Sequence, residues 1–222
     1  MKRPISVTTS KNFMIIEVTS PKDLSEVNLS ERVLFKLSMD LVNIDDFQKY
    51  LSQANLENLQ KIKDEREKIR FIKTRGLVNI LFSQENSEAE PIWQQNKYGK
   101  PYINGWDKDF SISHSREFSV VAVASEAIGV DIEDNVRDIE LEKFKRTKFL
   151  NFDEDAYESK EEFLMRFTAL EAYLKYIGKG FHKDAGKISV KKVNDAIVID
   201  DGGLIKAEVI RDGGYTIAMV IE

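Results

Sequence analysis

The chain has 222 residues, 42% hydrophobic and 32% charged, the balance of a soluble globular protein with room for one large domain or two small ones. It has no cysteine, which excludes disulfides, thiolate metal sites and a cysteine nucleophile, and two histidines, His114 and His182, are too few to build a histidine zinc centre. The net charge of −5 argues against general nucleic-acid binding. No apolar run is long enough to span a membrane and MKRPISVTTSKNF lacks the apolar centre of a signal peptide, so a cytoplasmic protein is expected.

In chain order, FMIIEV (13–18) and VLFKLSMDL (33–41) read as strands, being short and rich in apolar and β-branched residues. IDDFQKYLSQANLENLQ and DEREKIRFIKTRGLVNILFS place apolar residues at helical spacing with acidic residues in their first turns, so each predicts a helix. QENSEAEP and NKYGKP are loop-like. FSVVAVAS and AIGVDIE return to strand, joined by a short turn, and helices are predicted around 138–150 and over 161–177. KISVKKV, AIVID, LIKAEVI and YTIAMVI end the chain as short strands, with two DGG runs as hairpin turns.

The strand ending GVDIED (129–134) carries Asp131 and Glu133 on one face, about 7 Å apart, because side chains two residues apart in a strand point the same way. Two like charges so placed repel. Either water dilutes the repulsion at an exposed strand end, or a cation sits between them, and carboxylate oxygens are hard ligands suited to Mg2+ or Mn2+.

This alternation of strands and helices predicts an α+β fold of two lobes, an N-terminal lobe over 1–105 and a C-terminal lobe over 106–222. The dipeptide Arg-Phe occurs at 70–71 and again at 166–167. That offset sets Phe35 opposite Asp131, Leu37 opposite Glu133 and Arg75 opposite Glu171, strand on strand and helix on helix. A degenerate duplication is therefore expected, a pseudo-dimer in which the second lobe keeps the acids and the first supplies cations, with the site in the cleft between them.

On the helix FLMRFTALEAYLKYIGKG, Glu171 and Lys175 are four residues apart and share a side. They form either a surface ion pair, the usual reading of such a step on an isolated helix, or the lining of a cleft; their apolar neighbours Leu170, Ala172, Leu174 and Tyr176 weaken the first reading. GKG at 178–180 follows the helix, so it cannot cradle phosphate at that helix's N-terminus; it reads as a C-terminal glycine cap.

GVDIE, then FTALEAYLK and GKGF, preceded by YGKPY (98–102) and FSISHS (110–115), resemble in order the elements of the 4′-phosphopantetheinyl transferase superfamily. Length and the suspected duplication are similar to its two-lobed, Sfp-type branch, which works as a monomer, rather than to the short branch that trimerises. The resemblance implies transfer of 4′-phosphopantetheine from coenzyme A to a serine of an acyl or peptidyl carrier protein, with Mg2+ or Mn2+ and without nucleic-acid or membrane partners. It implies Asp131 and Glu133 as metal ligands, Glu171 as third metal ligand, as general base or as a base acting through water, roles that sequence does not separate, and Lys175 and Lys100 on phosphates. Ser113 and His114 match the pair that binds coenzyme A phosphates; a lone histidine outside such a motif reads as a packed or surface residue.

Arg70 and Arg75, from a basic cluster that also holds Lys61, Lys63, Arg66 and Lys73, are candidates for the adenosine 3′-phosphate. LEKFKRTKFL (141–150), with Lys143, Lys145, Arg146, Lys148, Phe144 and Phe149, is the candidate carrier-docking segment; it reads equally as an amphipathic helix with a solvated basic face. Three positions depart from the family pattern. Leu170 stands where lysine is common, which is expected to remove one cation beside the phosphates, while Phe167 replaces tryptophan and Ser111 asparagine. The first of these supports a rival reading, a non-catalytic homologue that only binds; a metal-dependent phosphohydrolase would need no such order of elements.

Overall fold

The computed structural model describes residues 7–10, 12–25, 27–87, 89–147 and 150–222. Lys148 and Phe149 of the expected docking segment lie outside the described residues. The chain divides into two units, one of residues 1–95 with 101–125 and one of residues 96–100 with 126–222. The division thus falls at Ser125/Glu126 and not at 105/106, because the strands of residues 109–124 pair within the first unit's sheet.

The first unit runs β1 (Val7–Thr9), β2 (Met14–Val18), β3 (Val33–Ser38), α1 (Ile44–Gln48), α2 (Gln53–Leu59), α3 (Glu65–Glu85), β4 (Trp93–Gln95), β5 (Pro101–Ile103), β6 (Asp109–Ser115) and β7 (Phe118–Ala124). Its five-stranded sheet has the order β1-β2-β3-β7-β6, with β4 and β5 as a separate pair. The single helix expected over 44–60 is two, because Ser52 caps a new start by accepting from Asn55 N at 3.3 Å. The long α3 keeps its predicted span and is capped by Asp64, which accepts from Glu67 N at 2.9 Å. Lys73 on α3 is fully buried and donates to the carbonyl oxygens of Ser38 and Met39, which end β3. Burial, opposed by Asp40, lowers its pKa.

The second unit contains β8 (Ile128–Asp134), α4 (Leu141–Thr147), β9 (Asn151–Phe152), α5 (Lys160–Tyr176), β10 (Ser189–Val193), β11 (Ala196–Asp200), β12 (Leu204–Asp212) and β13 (Tyr215–Ile221). Its six-stranded sheet has the order β8-β13-β12-β11-β10-β9. The two DGG runs do turn hairpins, with Gly202, Gly213 and Gly214 at positive φ. A third tight turn uses Asn194 and Asp195, also at positive φ. Val130 and Ile132 on one face of β8 are buried, and α5 packs on β8 and β13. Inside α5, Arg166 is wholly buried and is neutralised by Asp155 at 2.7 Å and Glu162 at 2.8 Å.

One glycine sets how closely helix and strand approach. A Cβ built on Gly129 would lie 1.9 Å from the carbonyl oxygen of Ala172 and 2.4 Å from the backbone nitrogen of Tyr176, so β8 meets α5 backbone to backbone. Gly129→Ala is expected to push α5 off the strand and destabilise the protein by about 3 kcal/mol, the upper range for overpacking. The urea midpoint should fall accordingly, and a midpoint unchanged from wild type would show that the contact can relax.

Candidate active site in the second unit

Alternation along β8 puts Asp131 and Glu133 on the same face as Gly129, the face pressed against α5. On the helix, Glu171 and Lys175 each precede by one residue the two positions, Ala172 and Tyr176, that touch Gly129. The consequence is direct: Lys175 Nζ donates to Asp131 Oδ1 at 2.7 Å. Asp131 and Glu133 are both buried, 2% and 9% exposed, so the solvated strand end is not what this chain builds.

Glu133 Oε1 accepts from Arg137 at 2.6 Å, and the Arg137 guanidinium lies 5.9 Å from the centre of the Phe167 ring. Burial, then the charge of Asp131, raises the pKa of Glu133, against the pull of Arg137 and Lys175. The same two causes in the same order push Glu171 up to about 7, opposed chiefly by Lys175. Asp131 thus repels both glutamates electrostatically, as expected of three carboxylates gathered about one place.

Among the described residues, no three such side chains already stand as a metal cage. Lys175 and Arg137 hold Asp131 and Glu133 instead. The donor set still suits a hard divalent ion in kind, being all carboxylate oxygen on two elements locked at Gly129.

Lys100 joins this unit through the loop 96–100. Asn96 Oδ1 accepts from Tyr98 N at 2.9 Å and Lys100 N at 3.0 Å, and its Nδ2 donates to Gly178 O at 2.7 Å. Lys100 Nζ then donates to Ile128 O, at the start of β8, at 3.0 Å. Gly178 has φ +63°, and the bonds Gly178 N to Lys175 O and Lys179 N to Leu174 O close a Schellman cap, as the glycine spacing implied. Arg137, Asn96 and Gly129 escaped sequence reasoning. The arginine four residues after Glu133 and the glycine inside a strand were their only signals.

Arg70, Arg75, Ser113 and His114 belong to the first unit. Arg70 pairs with Glu67 and donates to Arg116 O at 2.9 Å, and His114 Nε2 lies 3.8 Å from the same Glu67. Ser113 is buried on β6. Five residues along a helix turn through about 140° net, so Arg70 and Arg75 leave α3 in different directions. Leu170 is also placed differently from expectation: it is fully buried in the second unit's apolar cluster, so a lysine there would not face the carboxylates. Phe167 stacks on Phe163 at 5.7 Å. On α4, Phe144 packs inward on Phe163 at 5.0 Å, Lys143 is exposed and Lys145 pairs with Glu154 at 2.7 Å.

Residues 127–218 match the family model described as the 4′-phosphopantetheinyl transferase superfamily. The chain is 30% identical over 113 residues to 4′-phosphopantetheinyl transferase gsp of Aneurinibacillus migulanus, covering 49% of this chain and 47% of that protein. It is 32% identical over 114 residues to a 4′-phosphopantetheinyl transferase of Bacillus subtilis, covering 48% and 51%. Against 4′-phosphopantetheinyl transferase Sfp of Bacillus subtilis strain 168 the identity is 27% over 160 residues, 68% and 71% of the two chains. In the first two comparisons the chain spans about half the length of the relative. The stretch that matches that model runs from just before β8 to the middle of β13, with the carboxylate strand and the Glu171 helix inside it.

Proposed function

We propose that this chain transfers 4′-phosphopantetheine from coenzyme A to a serine of an apo carrier protein and releases adenosine 3′,5′-bisphosphate. The observation that carries the reading is the buried pair Asp131 and Glu133 with Lys175 Nζ on Asp131 Oδ1 at 2.7 Å and Glu171 one helical turn before Lys175, its pKa pushed up to about 7 by burial and by Asp131. A base whose pKa lies near the working pH is suited to take a hydroxyl proton. The serine oxygen forms a bond to the phosphorus that bears pantetheine, the bond from that phosphorus to the bridging oxygen breaks, and the serine proton passes to Glu171 directly or through water. Lys175 and Lys100 hold phosphate oxygens during the exchange. Asp131, Glu133 and Glu171 would hold Mg2+, which supplies charge neutralisation on the pyrophosphate. Arg70, Ser113 and His114 are proposed coenzyme A contacts on the strength of their motifs, and the exposed basic face of α4 is proposed for the acidic carrier.

A degenerate duplication is part of the proposal. It is supported by a shared order in the two units: β3, then α3, then the β6–β7 hairpin whose second strand pairs antiparallel with β3, against β8, then α5, then the β12–β13 hairpin whose second strand pairs antiparallel with β8. Phe35 faces Val121 in the first pairing and Asp131 faces Ala218 in the second.

Glu171→Gln is expected to slow transfer at least about 100-fold, the usual contribution of a general base. Mass spectrometry of an apo carrier incubated with coenzyme A and Mg2+ would follow it, while coenzyme A binding by calorimetry stays within a few-fold. Undiminished transfer by the variant would remove Glu171 from the chemistry.

The rival, a homologue that binds without transferring, drew its support from Leu170, which the core now explains. Leu170→Lys should therefore lower the thermal midpoint and leave transfer no faster; a gain in turnover would revive the rival.

The raised pKa of Glu171 also fixes a sign. Its proton is held more tightly in the folded protein than at the ordinary 4.5, so its contribution to stability is complete below about 4.5 and is lost as pH rises through about 7. The loss is at most about 3 kcal/mol. In EDTA, urea midpoints should fall over that window for wild type and less for Glu171→Gln; equal slopes would refute the assignment.

A further inference from the structure

The turn that leaves β8 returns an arginine to the strand. Asn135 N donates to Gly214 O at 2.9 Å, Thr216 Oγ1 to Asn135 Oδ1 at 2.7 Å, Val136 N to Asp134 Oδ1 at 2.9 Å and Arg137 N to Asp134 O at 3.1 Å. These bonds pin the backbone of Arg137 just beyond the strand end, and from there its side chain runs back to Glu133. The guanidinium itself is held far less firmly. Among the described residues, its single hydrogen bond is from Nη1 to Glu133 Oε1 at 2.6 Å, the Phe167 ring lies at 5.9 Å, the outer limit of a cation–π contact, and the side chain is half-exposed.

A second arginine of the same unit supplies the contrast. Arg166 is wholly buried and grips two carboxylates, Asp155 through Nη2 and Glu162 through Nη1, so it cannot leave without stranding a buried charge. Arg137 meets water on one side and one carboxylate on the other, the arrangement of a weak, exchangeable ion pair. Glu133 is in the opposite position: it is buried beside Asp131, and both conditions disfavour its charge unless a cation stands by. Lys175 already serves Asp131 from within α5, which leaves Glu133 to the turn. An acid that cannot stay bare, joined to a cation that can leave, is what a displaceable counter-ion requires.

We propose that Arg137 is a built-in stand-in for the divalent ion: it neutralises Glu133 while the carboxylates are without metal, and it gives up that carboxylate when Mg2+ binds. The inference rests on the reading of Asp131, Glu133 and Glu171 as metal ligands. It makes Arg137 a positioning residue acting through Glu133, and it makes metal affinity a property of the turn as well as of the acids.

Mg2+ titration of the full chain tests it, followed by calorimetry and by the guanidinium resonances of labelled protein, that of Arg137 being assigned from its backbone. Saturating Mg2+ should move the Arg137 resonance and leave that of Arg166 in place. Arg137→Gln should bind Mg2+ about threefold more tightly than wild type, within the range that a half-exposed ion pair contributes. Its thermal midpoint should lie below that of wild type in EDTA and recover most of the difference in Mg2+, because a ligand stabilises most the form that binds it best. A charge acting only from a distance would tighten binding without moving the resonance. Saturable Mg2+ binding with an unmoved Arg137 resonance, or a folded Arg137→Gln that binds no more tightly than wild type, would overturn the proposal and leave the transferase reading standing. Absence of Mg2+ binding by wild type and variant alike would overturn both the proposal and the metal reading beneath it, whereas binding by the variant alone would support it. Should the variant fold poorly, the wild-type resonance decides.

Discussion

The second unit depends on one close approach. Without a side chain at residue 129, the backbone of β8 lies against the backbone of α5, and nothing bulkier than hydrogen separates Gly129 from the carbonyl oxygen of Ala172. Strand alternation then brings Asp131 and Glu133 to the helix side, and the helical repeat brings Glu171 and Lys175 beside them. The positions of four ionisable groups follow from a missing methyl group, which is why a strand otherwise so apolar can end in acids and remain buried.

Gathering carboxylates in a dry place raises their affinity for any positive charge, whether a proton, an ammonium, a guanidinium or a metal ion. Two of these solutions are seen as contacts in the site, and burial favours a third. Glu171 leans toward a proton, Asp131 takes the Lys175 ammonium, and Glu133 takes the Arg137 guanidinium. A substrate that brings its own negative charge would compete for the two side-chain cations, and a divalent ion would answer the acids they leave. Exchange of partners among a fixed set of charges is the physical content of the proposed chemistry.

Much of this was legible in the sequence. The carboxylate spacing in GVDIED, the four-residue step from Glu171 to Lys175 and the glycine after the helix all depend on local periodicity, which a sequence displays directly. What was not legible depends on the surroundings of a residue. Leu170 reads as a lost cation when compared with a motif and as core when its neighbours in space are known. Arg70 and Arg75 look like one basic cluster on paper, yet their separation around α3 sends them to unlike environments, one hydrogen-bonded to a loop carbonyl and one between rings. The unit boundary was misplaced for a similar reason: strand partners are chosen by sheet order, which composition does not encode.

The pentapeptide 96–100 has a bearing on what can be cut out of this chain. It belongs to the second unit, yet its flanking residues on both sides belong to the first. Its side chains cap the carbonyl of Gly178 beyond α5 and that of Ile128 at the start of β8. A fragment beginning at residue 126 would retain the stretch matched by the family model, with Asp131, Glu133, Glu171 and Lys175, but it would leave those two carbonyls facing water. The stretch matched by the family model is thus shorter than the stretch that completes its fold, and the difference is supplied from upstream by five residues.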